Sequence, residues 1–442
     1  MYPNKQNKIK GIRIFDLYHV KYFEYFYMVV MVIYMAQMTT NASRMFGGLS
    51  GNPIPLLLPV VLTLVLLRRN KISWSCPKLG LLCAVLAVWS LLVMGKNDAL
   101  ANTADWSYTF FLFYAVIVAF IHVRVYDDSL FPIYEHIMTW ICKISLPLWL
   151  LNMFLYHSTP EIIHLFPETG LGSCLFSLYN WMDPLKEAEP SVILRNSGCS
   201  WEPGRFAIMI AMAIYANLLR KGVTFRRNRG IFWLLAALLT TQSTTGYTCV
   251  LVIYVIFILR TSRNMSRLVS LIVLIPVFIL VAKADFMQNK IMEQADVEST
   301  VQGVYDTAEW ADKTRDDGEY IGSLNRFQAM FFERMNIKND PWLGYSRNKD
   351  YSYFNKNIST NFVLTGGILK VFGEYGIPTG TFLYLLLLMS SIRIAKRTGN
   401  KVYSGLFVLI VLSSVSYVTW CVPVLTAFWL YGVFMPANRN SR

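Results

Sequence analysis

Charged residues are scarce in this chain of 442 residues, because Asp, Glu, Lys and Arg together make up 15% of it. Soluble domains contain about 25% charged residues. Hydrophobic residues account for 55% of the chain, and aromatic residues for 15%. So few charges cannot cover a water-facing surface of this size. The composition excludes an ordinary soluble globular protein and predicts a protein that crosses a membrane several times.

Cysteine and histidine are also scarce, with seven and five residues respectively. There is no Cys-x-x-Cys pair, no His/Cys cluster at the spacing of metal ligands and no Asp-x-Asp pair. The adjacent pair Asp316 and Asp317 lies in a polar run typical of solvated loops. Neither a metal site nor any other cofactor is therefore predicted. Cys174 and Cys199 share one polar loop, where an oxidising compartment would permit a disulfide and a reducing one would not.

Apolar stretches recur along the whole chain, and most are close to the length that crosses about 30 Å of hydrocarbon. They predict an all-α integral membrane protein with about twelve transmembrane helices and a large, partly helical periplasmic loop. The predicted spans are 22–38, 54–67, 79–94, 106–121, 137–156, 206–219, 231–241, 247–259, 268–282, 377–392, 402–417 and 422–435. No internal period indicates a repeat array.

The formal charge of +14 could indicate nucleic-acid binding, but the positions of the charges do not support it. If the N-terminus is cytoplasmic, alternate crossings place most Lys and Arg residues on the cytoplasmic side. The long loops 157–204 and 283–359 fall on the opposite side and are rich in acids. This distribution follows the positive-inside rule and predicts that both long loops are exported.

Five segments follow from this topology. They are 1–156 with helices 1 to 5, 157–204 as the first exported loop, 205–282 with helices 6 to 9, 283–376 as the large exported loop, and 377–442 with helices 10 to 12. Within the large loop, 360–375 is predicted to be an interfacial or re-entrant helix. A full crossing there would place the basic run 393–401 outside.

A polar segment, RNSGCSWEPGR at 195–205, interrupts the apolar runs. Gly198 and Pro203 break regular structure, so side chains and backbone amides can converge on one ligand at the aqueous rim. Arg195 and Arg205 carry planar guanidinium groups that suit phosphate oxygens and stay charged when partly desolvated. The segment is therefore a candidate anion site, although charged residues also commonly flank membrane helices.

Two carboxylates could act as a general base if burial raised their pKa values. Glu202 lies three residues before Arg205 and could equally be the counter-charge of the arginines. Glu374 lies four residues after Lys370, so the two could simply form an ion pair on one helical face.

The segment 195–205 resembles the Arg-x-x-Gly-x-x-x-Glu/Asn-Pro motif of the O-antigen polymerase and ligase superfamily, which includes the Wzy-type polymerases of bacterial surface polysaccharides. Three further stretches resemble family motifs in the expected order. TQSTTGY at 241–247 resembles a Ser-x-Thr-Gly turn, with Thr244 where an Arg is often found. Arg326 followed by PWLGYS resembles an Arg and then Pro-x-x-Gly-x-Gly, with Ser346 replacing the last Gly. Thr360 and Asn361, leading into FGEYGIPTG, resemble the segment that closes the large loop.

The resemblance covers about 195–380 and implies a metal-independent glycosyltransferase that polymerises lipid-linked repeat units of O-antigen, capsule or exopolysaccharide. Its donor would be an oligosaccharide on undecaprenyl pyrophosphate, and its acceptor a sugar hydroxyl of another repeat unit. Besides these substrates and the lipid bilayer, a chain-length regulator protein is a candidate partner. The ligase branch carries a His before the Asn of the last motif, and Thr360 at that position favours a polymerase.

The resemblance also implies roles for individual residues. Arg195 and Arg326 would bind the pyrophosphate, with Arg205 and Arg347 as further candidates, and Glu202, Glu374 and Arg326 would be catalytic. Other substrate contacts would come from Gly198, Pro203, Asn361 and Tyr345. Tyr345 could stack on a sugar ring or belong to the core of the folded loop.

Three other functions are considered. A ligase would transfer the glycan to lipid A-core. A polyprenyl-phosphate-sugar glycosyltransferase of the GT-C type would carry an acidic residue in its first exported loop, but 39–52 contains none. A transporter or flippase would show internal symmetry, polar residues within its spans and short outer loops.

Overall fold

The computed structural model describes residues 20–37, 54–72, 74–158, 172–175, 179–182, 194–223, 228–261, 302–306, 322–323, 326–358, 362–363 and 367–436. These residues are mostly α-helical, and the only sheets among them are two of two strands each. The predicted span 268–282, Asp316, Asp317, Thr360 and Asn361 lie outside the described residues.

The α-helices are numbered in chain order. They are α1 Tyr22–Gln37, α2 Ile54–Asn70, α3 Pro77–Lys96, α4 Thr103–Tyr126, α5 Leu130–Ser158, α6 Pro203–Lys221, α7 Arg229–Thr240, α8 Thr244–Thr261, α9 Arg326–Asn339, α10 Tyr353–Asn357, α11 Lys370–Thr398, α12 Gly405–Ser414 and α13 Pro423–Phe434. The strands are β1 Gly172–Leu175, antiparallel to β2 Tyr179–Met182, and β3 Gly322–Ser323, parallel to β4 Phe362–Val363. Two 3-10 helices occupy Asp127–Ser129 and Lys349–Tyr351.

Three helical segments are long and apolar enough to cross a membrane: Pro77–Lys96, Thr103–Tyr156 and Lys370–Thr398. The second segment comprises α4 and α5, joined by the 3-10 helix Asp127–Ser129. Five other apolar helices are shorter, namely Tyr22–Tyr34, Arg229–Thr240, Thr244–Arg260, Gly405–Ser414 and Pro423–Phe434.

The described residues therefore fit a helical protein with membrane-spanning helices, but they do not show twelve spans. The reason is helix length. Helices α7 and α13 contain 12 residues each and are therefore only about 18 Å long. Helix α12, with 10 residues, is shorter still. None of the three covers about 30 Å of hydrocarbon without its flanking residues.

Helix α13 lies in the interior of the bundle, and all of its residues are buried. It packs against α4 and α11, and Phe428 stacks on Phe131 of α5 with ring centroids 4.9 Å apart. A helix that is apolar on every side needs partners on every side. The packing of α13 therefore defines the centre around which the longer helices are arranged.

Polar contacts group the connecting segments into two opposite ends of the bundle. At one end, Arg220 binds Glu135, with 2.6 Å between Nη2 and Oε1, and Arg397 binds Asp127 and Asp128. At the other end, contacts join the segments around residues 105, 195, 241, 326, 351 and 416. Alternate crossings predict the same grouping of connections. Helix α4 links the two ends, and its 24 residues give it a length of about 36 Å.

The segment Pro341–Ser346 is bound backbone to backbone against a break in α11. The helix is interrupted at Gly376, where φ is 75° and ψ is 163°. The amide of Ile377 donates to the carbonyl of Pro341 at 2.7 Å, and that of Tyr345 donates to the carbonyl of Gly373 at 2.9 Å. A side chain at Gly344 or Gly376 would collide with the facing backbone. The motifs PWLGYS and FGEYGI therefore form one structural unit.

Candidate functional site

The polar segment 194–202 is fixed by hydrogen bonds to the turn between α7 and α8. The amide of Asn196 donates to the carbonyl of Thr240 at 2.8 Å, and its Nδ2 donates to Thr240 Oγ1 at 2.9 Å. On its other side, the hydroxyl of Ser197 donates to the carbonyl of Asn180 in β2 at 3.0 Å. Although it lacks regular structure, this segment is a buried and ordered connection.

Gly198 and Pro203 shape the segment. Gly198 has a φ of 52°, and a Cβ on it would overlap the ring of Phe206. Its amide donates to Asn196 Oδ1 at 3.0 Å and so is already used within the protein. Pro203 is the first residue of α6, where the missing N–H costs no helical hydrogen bond. Both residues, which are predicted as substrate contacts, shape the backbone that presents the arginines.

Arg195 and Arg326 are held by the two ends of one turn. Arg195 Nε donates to the carbonyl of Thr241 at 3.2 Å, and Arg326 Nη1 donates to Thr245 Oγ1 at 2.5 Å. Thr245 Oγ1 also lies 2.5 Å from the hydroxyl of Ser416, which follows α12. Burial lowers the pKa of Arg326, the charge of Glu202 raises it and Arg195 lowers it. Arg195, Glu202 and Arg326 are therefore close in space, although 131 positions separate Arg195 from Arg326 in the numbering.

Arg205 lies in the first turn of α6. Its guanidinium stands over the rings of Trp201 and Tyr417, 5.4 Å from each centroid, and it interacts electrostatically with Glu202. Gly204 leaves room for Tyr417, because a Cβ there would be 2.8 Å from the Tyr417 hydroxyl. Aromatic faces thus orient this third guanidinium without neutralising it.

We call Arg195, Glu202, Arg205 and Arg326 the arginine cluster. Its three guanidinium groups come from two separate parts of the chain, the segment 195–205 and the start of α9, and outnumber its single carboxylate. The cluster also lies at the N-terminal end of α6, where the helix dipole favours a negative charge. An excess of positive charge in a largely buried setting suits a phosphate or pyrophosphate group.

Glu374 belongs to a second group of polar residues, which we call the second group and which consists of Glu333, Tyr345, Arg347, Lys370 and Glu374. Its Oε1 lies 3.8 Å from Lys370 Nζ, which is the ion pair that the sequence offered as the alternative to catalysis. It also interacts electrostatically with Arg347 and with the buried Glu333 of α9. The two predicted carboxylates, Glu202 and Glu374, thus have different neighbours.

Arg347 is also part of the second group. Its guanidinium lies over Phe111 and Tyr108, 5.6 and 6.0 Å from the ring centroids, and Nη1 donates to the Tyr108 carbonyl at 3.4 Å. It therefore stabilises the contact between α4 and the segment after Ser346. It also interacts electrostatically with Cys421, Tyr375 and Glu374, which places it in the second group.

Glu333 was not predicted from the sequence. It is 1% exposed, and it accepts hydrogen bonds from the Tyr345 hydroxyl at 3.0 Å and from Asn336 Nδ2 at 3.1 Å. Burial raises its pKa to about 7, although Lys370 lowers it. Glu333 follows Arg326 by seven residues, which places both on one face of α9, about 10 Å apart. This seven-residue spacing from Arg326 is the feature of the sequence from which Glu333 could have been identified.

Tyr345 is also buried, with 3% of its surface exposed. Because its hydroxyl is bonded to Glu333 and its ring is enclosed, it presents no face to a sugar in this structure. Cys199 is a buried thiol, and the side chain of Cys174 lies outside the described residues. Within the described ranges, no group of three His, Cys, Asp or Glu side chains could hold a metal ion.

No protein-family model matches the chain, and no curated protein matches its sequence. The motifs and the geometry of the arginine cluster are therefore the basis for the proposed function.

Proposed function

We propose that this chain is a polysaccharide polymerase of the bacterial inner membrane, with about twelve spans and its active site facing the periplasm. It would transfer a glycan from undecaprenyl pyrophosphate to a sugar hydroxyl of a second lipid-linked repeat unit, without a metal. The observation that supports this most is the convergence of Arg195, Arg205 and Arg326 around Glu202. These residues belong to two of the motifs on which the family resemblance rests.

The proposed reaction explains why such a site needs several arginines. The bond between the sugar C1 and the pyrophosphate oxygen breaks, and a bond from C1 to the acceptor oxygen forms. The pyrophosphate keeps the electron pair of the broken bond, so its negative charge grows in the transition state. Donors already fixed around the leaving group stabilise that charge without reorganisation, and Thr241 and Thr245 supply this fixing.

The acceptor hydroxyl must also lose a proton. Glu202 is the carboxylate placed within the arginine cluster, and we assign it the role of general base on that position. Glu374, which pairs with Lys370 in the second group, is proposed to hold the entry of α11 rather than to touch the reacting atoms.

Complementation of a host that lacks its own polymerase would test the site. Arg195→Ala and Arg326→Ala should abolish the polymer ladder and leave single repeat units, with membrane levels of the protein unchanged. Arg334→Ala is the matched control, because Arg334 is an exposed arginine two turns further along α9. An unchanged ladder with both cluster variants would show that the assigned site is wrong.

The same host separates the other candidate functions. A ligase would attach single units to lipid A-core without producing a ladder, and a flippase would be needed even when polymerisation is supplied by another enzyme. The polymerase proposal expects unpolymerised units on the periplasmic side when the chain is absent. A chain-length regulator would alter the distribution of lengths but not the requirement for this chain.

A further inference from the structure

The segment Pro341–Gly344 is attached to the side of α3. Trp89 Nε1 donates to the carbonyl of Leu343 at 2.9 Å, and Lys96 Nζ donates to the carbonyl of Gly344 at 3.1 Å. Lys96 also forms an ion pair with Asp340. The segment therefore lies along α3 between Lys96, the last residue of that helix, and Trp89.

The position of Trp89 gives the depth of this contact. Helix α3 is one of the three segments able to cross a membrane. Trp89 precedes its last residue by seven positions, so its Cα lies about 10 Å inside the helix end. Side chains on a helix lean towards its N-terminus, which carries the indole further in the same direction. The Leu343 carbonyl thus lies at a level inside the spanning helix α3 and not beyond the end of that helix.

Neighbouring contacts agree on this depth. The ring of Tyr375, one residue before the break in α11, packs on Trp89 with centroids 4.6 Å apart. This break lies near the start of α11, which is also long and apolar enough to cross a membrane. The ion pair between Lys96 and Asp340 lies at the end of α3, the level at which charged side chains meet the lipid headgroups.

Trp342 is 75% exposed within this segment. Ile377, whose amide is bonded to the carbonyl of Pro341, is 46% exposed, and Leu92 on α3 is 52% exposed. An exposed tryptophan flanked by exposed aliphatic side chains, beside the outer half of a spanning helix, fits the boundary between headgroups and acyl chains. The continuity of this surface with α3 and α11 identifies its occupant as lipid.

We propose that Pro341–Gly344 is embedded in one leaflet of the bilayer, with Trp342 in direct contact with lipid. Its backbone polar groups tolerate that depth because Trp89, Lys96 and Ile377 bind three of its carbonyls. Helix α9 ends at Asn339, one residue before the segment, so one end of the helix that begins with Arg326 is anchored at the membrane surface. This proposal depends on membrane insertion and not on the proposed reaction.

Photo-cross-linking in native membranes would test it. The photoreactive residue benzoylphenylalanine replaces Trp342 in one variant and Ile377 in a second. Phe110 serves as the lipid-facing control, because it is 61% exposed and lies about 10 Å along the spanning helix α4. Lys349, exposed on the 3-10 helix that follows the segment, serves as the solvent-facing control.

Irradiation should give phospholipid adducts, detected by mass spectrometry of the purified protein, at positions 342, 377 and 110 but not at 349. A yield at 342 at the level of the 110 control would support the proposal, and a yield at 342 as low as at 349, in protein that elutes as a single folded species, would overturn it. If the 342 variant misfolds, position 377, whose amide binds the Pro341 carbonyl, is judged by the same two outcomes.

Discussion

Replacing Thr245 by Val should weaken the site while leaving the fold intact. Valine has nearly the same shape as threonine but lacks the hydroxyl. Thr245 is buried, and its Oγ1 lies 2.5 Å from both Arg326 Nη1 and the hydroxyl of Ser416. The change therefore removes one acceptor from a guanidinium that is already largely desolvated, and Arg326 is no longer fixed.

The expected size of the effect follows from the charge of the donor. A hydrogen bond to a charged group contributes about 1.5–3 kcal/mol. If that contribution acts on the developing charge of the pyrophosphate, the rate falls about ten- to a hundred-fold. The binding of the substrate should change less, because the leaving group gains most of its charge in the transition state.

The assay is the initial rate at which purified protein in lipid vesicles converts lipid-linked repeat units to polymer. Thr245→Ser keeps the hydroxyl and is the matched control, so it should retain most of the activity. A Val variant with the wild-type rate would refute the role of this hydrogen bond. A Ser variant as slow as the Val variant would show that the methyl group, and not the hydroxyl, matters.

Three further predictions concern the fold. Gly198→Ala should lower the free energy of unfolding by about 1–3 kcal/mol, because the added methyl group would stand at a positive φ and overlap the ring of Phe206. The control is Gly80→Ala on α3, where the methyl group meets open space and should not lower the melting temperature. Burial raises the pKa of Glu333 to about 7, so its protonated form is favoured by folding, and stability should fall by roughly 3 kcal/mol as the pH rises from about 4.5 to 7. Glu333→Gln should flatten this pH dependence in thermal melts. Arg220→Gln leaves the buried Glu135 without its bidentate partner and should cost about 3–5 kcal/mol, much of which a second change, Glu135→Gln, should restore.

The helical class followed from the apolar runs, but helix ends depend on interactions that a hydropathy pattern does not contain. The run 402–417 predicted one span, whereas α12 ends at Ser414. There, the hydroxyls of Ser413 and Ser414 both donate to the carbonyl of Ile410. Serine in this role competes with the regular helical pattern. Pro423 then opens the next helix, α13.

The motifs indicated which arginines lie together, but they did not indicate which other candidate residues lie apart from them. The arginines at 195, 205 and 326 converge, but Arg347 and Glu374 lie in the second group. Sequence order does not show which loop packs on which helix, and the contact of Arg347 with α4 depends on that packing. The glycines at 344 and 376 are explained only by the fold, because each faces the backbone of the other motif.

Thr245 and Glu333 show two reasons why the remainder could not be predicted. Threonine is common in membrane helices, and only the approach of α9 gives Thr245 a charged partner. A glutamate in a polar helix is usually solvated, and Glu333 is buried because Tyr345 and Gly373 of α11 pack against its carboxylate. Both roles arise from contacts between segments far apart in the chain.

Reconstitution of the purified chain in vesicles with lipid-linked repeat units and no other protein would test the polymerase activity itself. In the presence of a metal chelator, we expect chains of two or more repeat units on one lipid, with one undecaprenyl pyrophosphate released for each linkage formed. Arg326→Ala should abolish both products, and Arg334→Ala should not. Wild-type protein that leaves the units single, while a known polymerase extends them in the same vesicles, would show that the chain is not a polymerase.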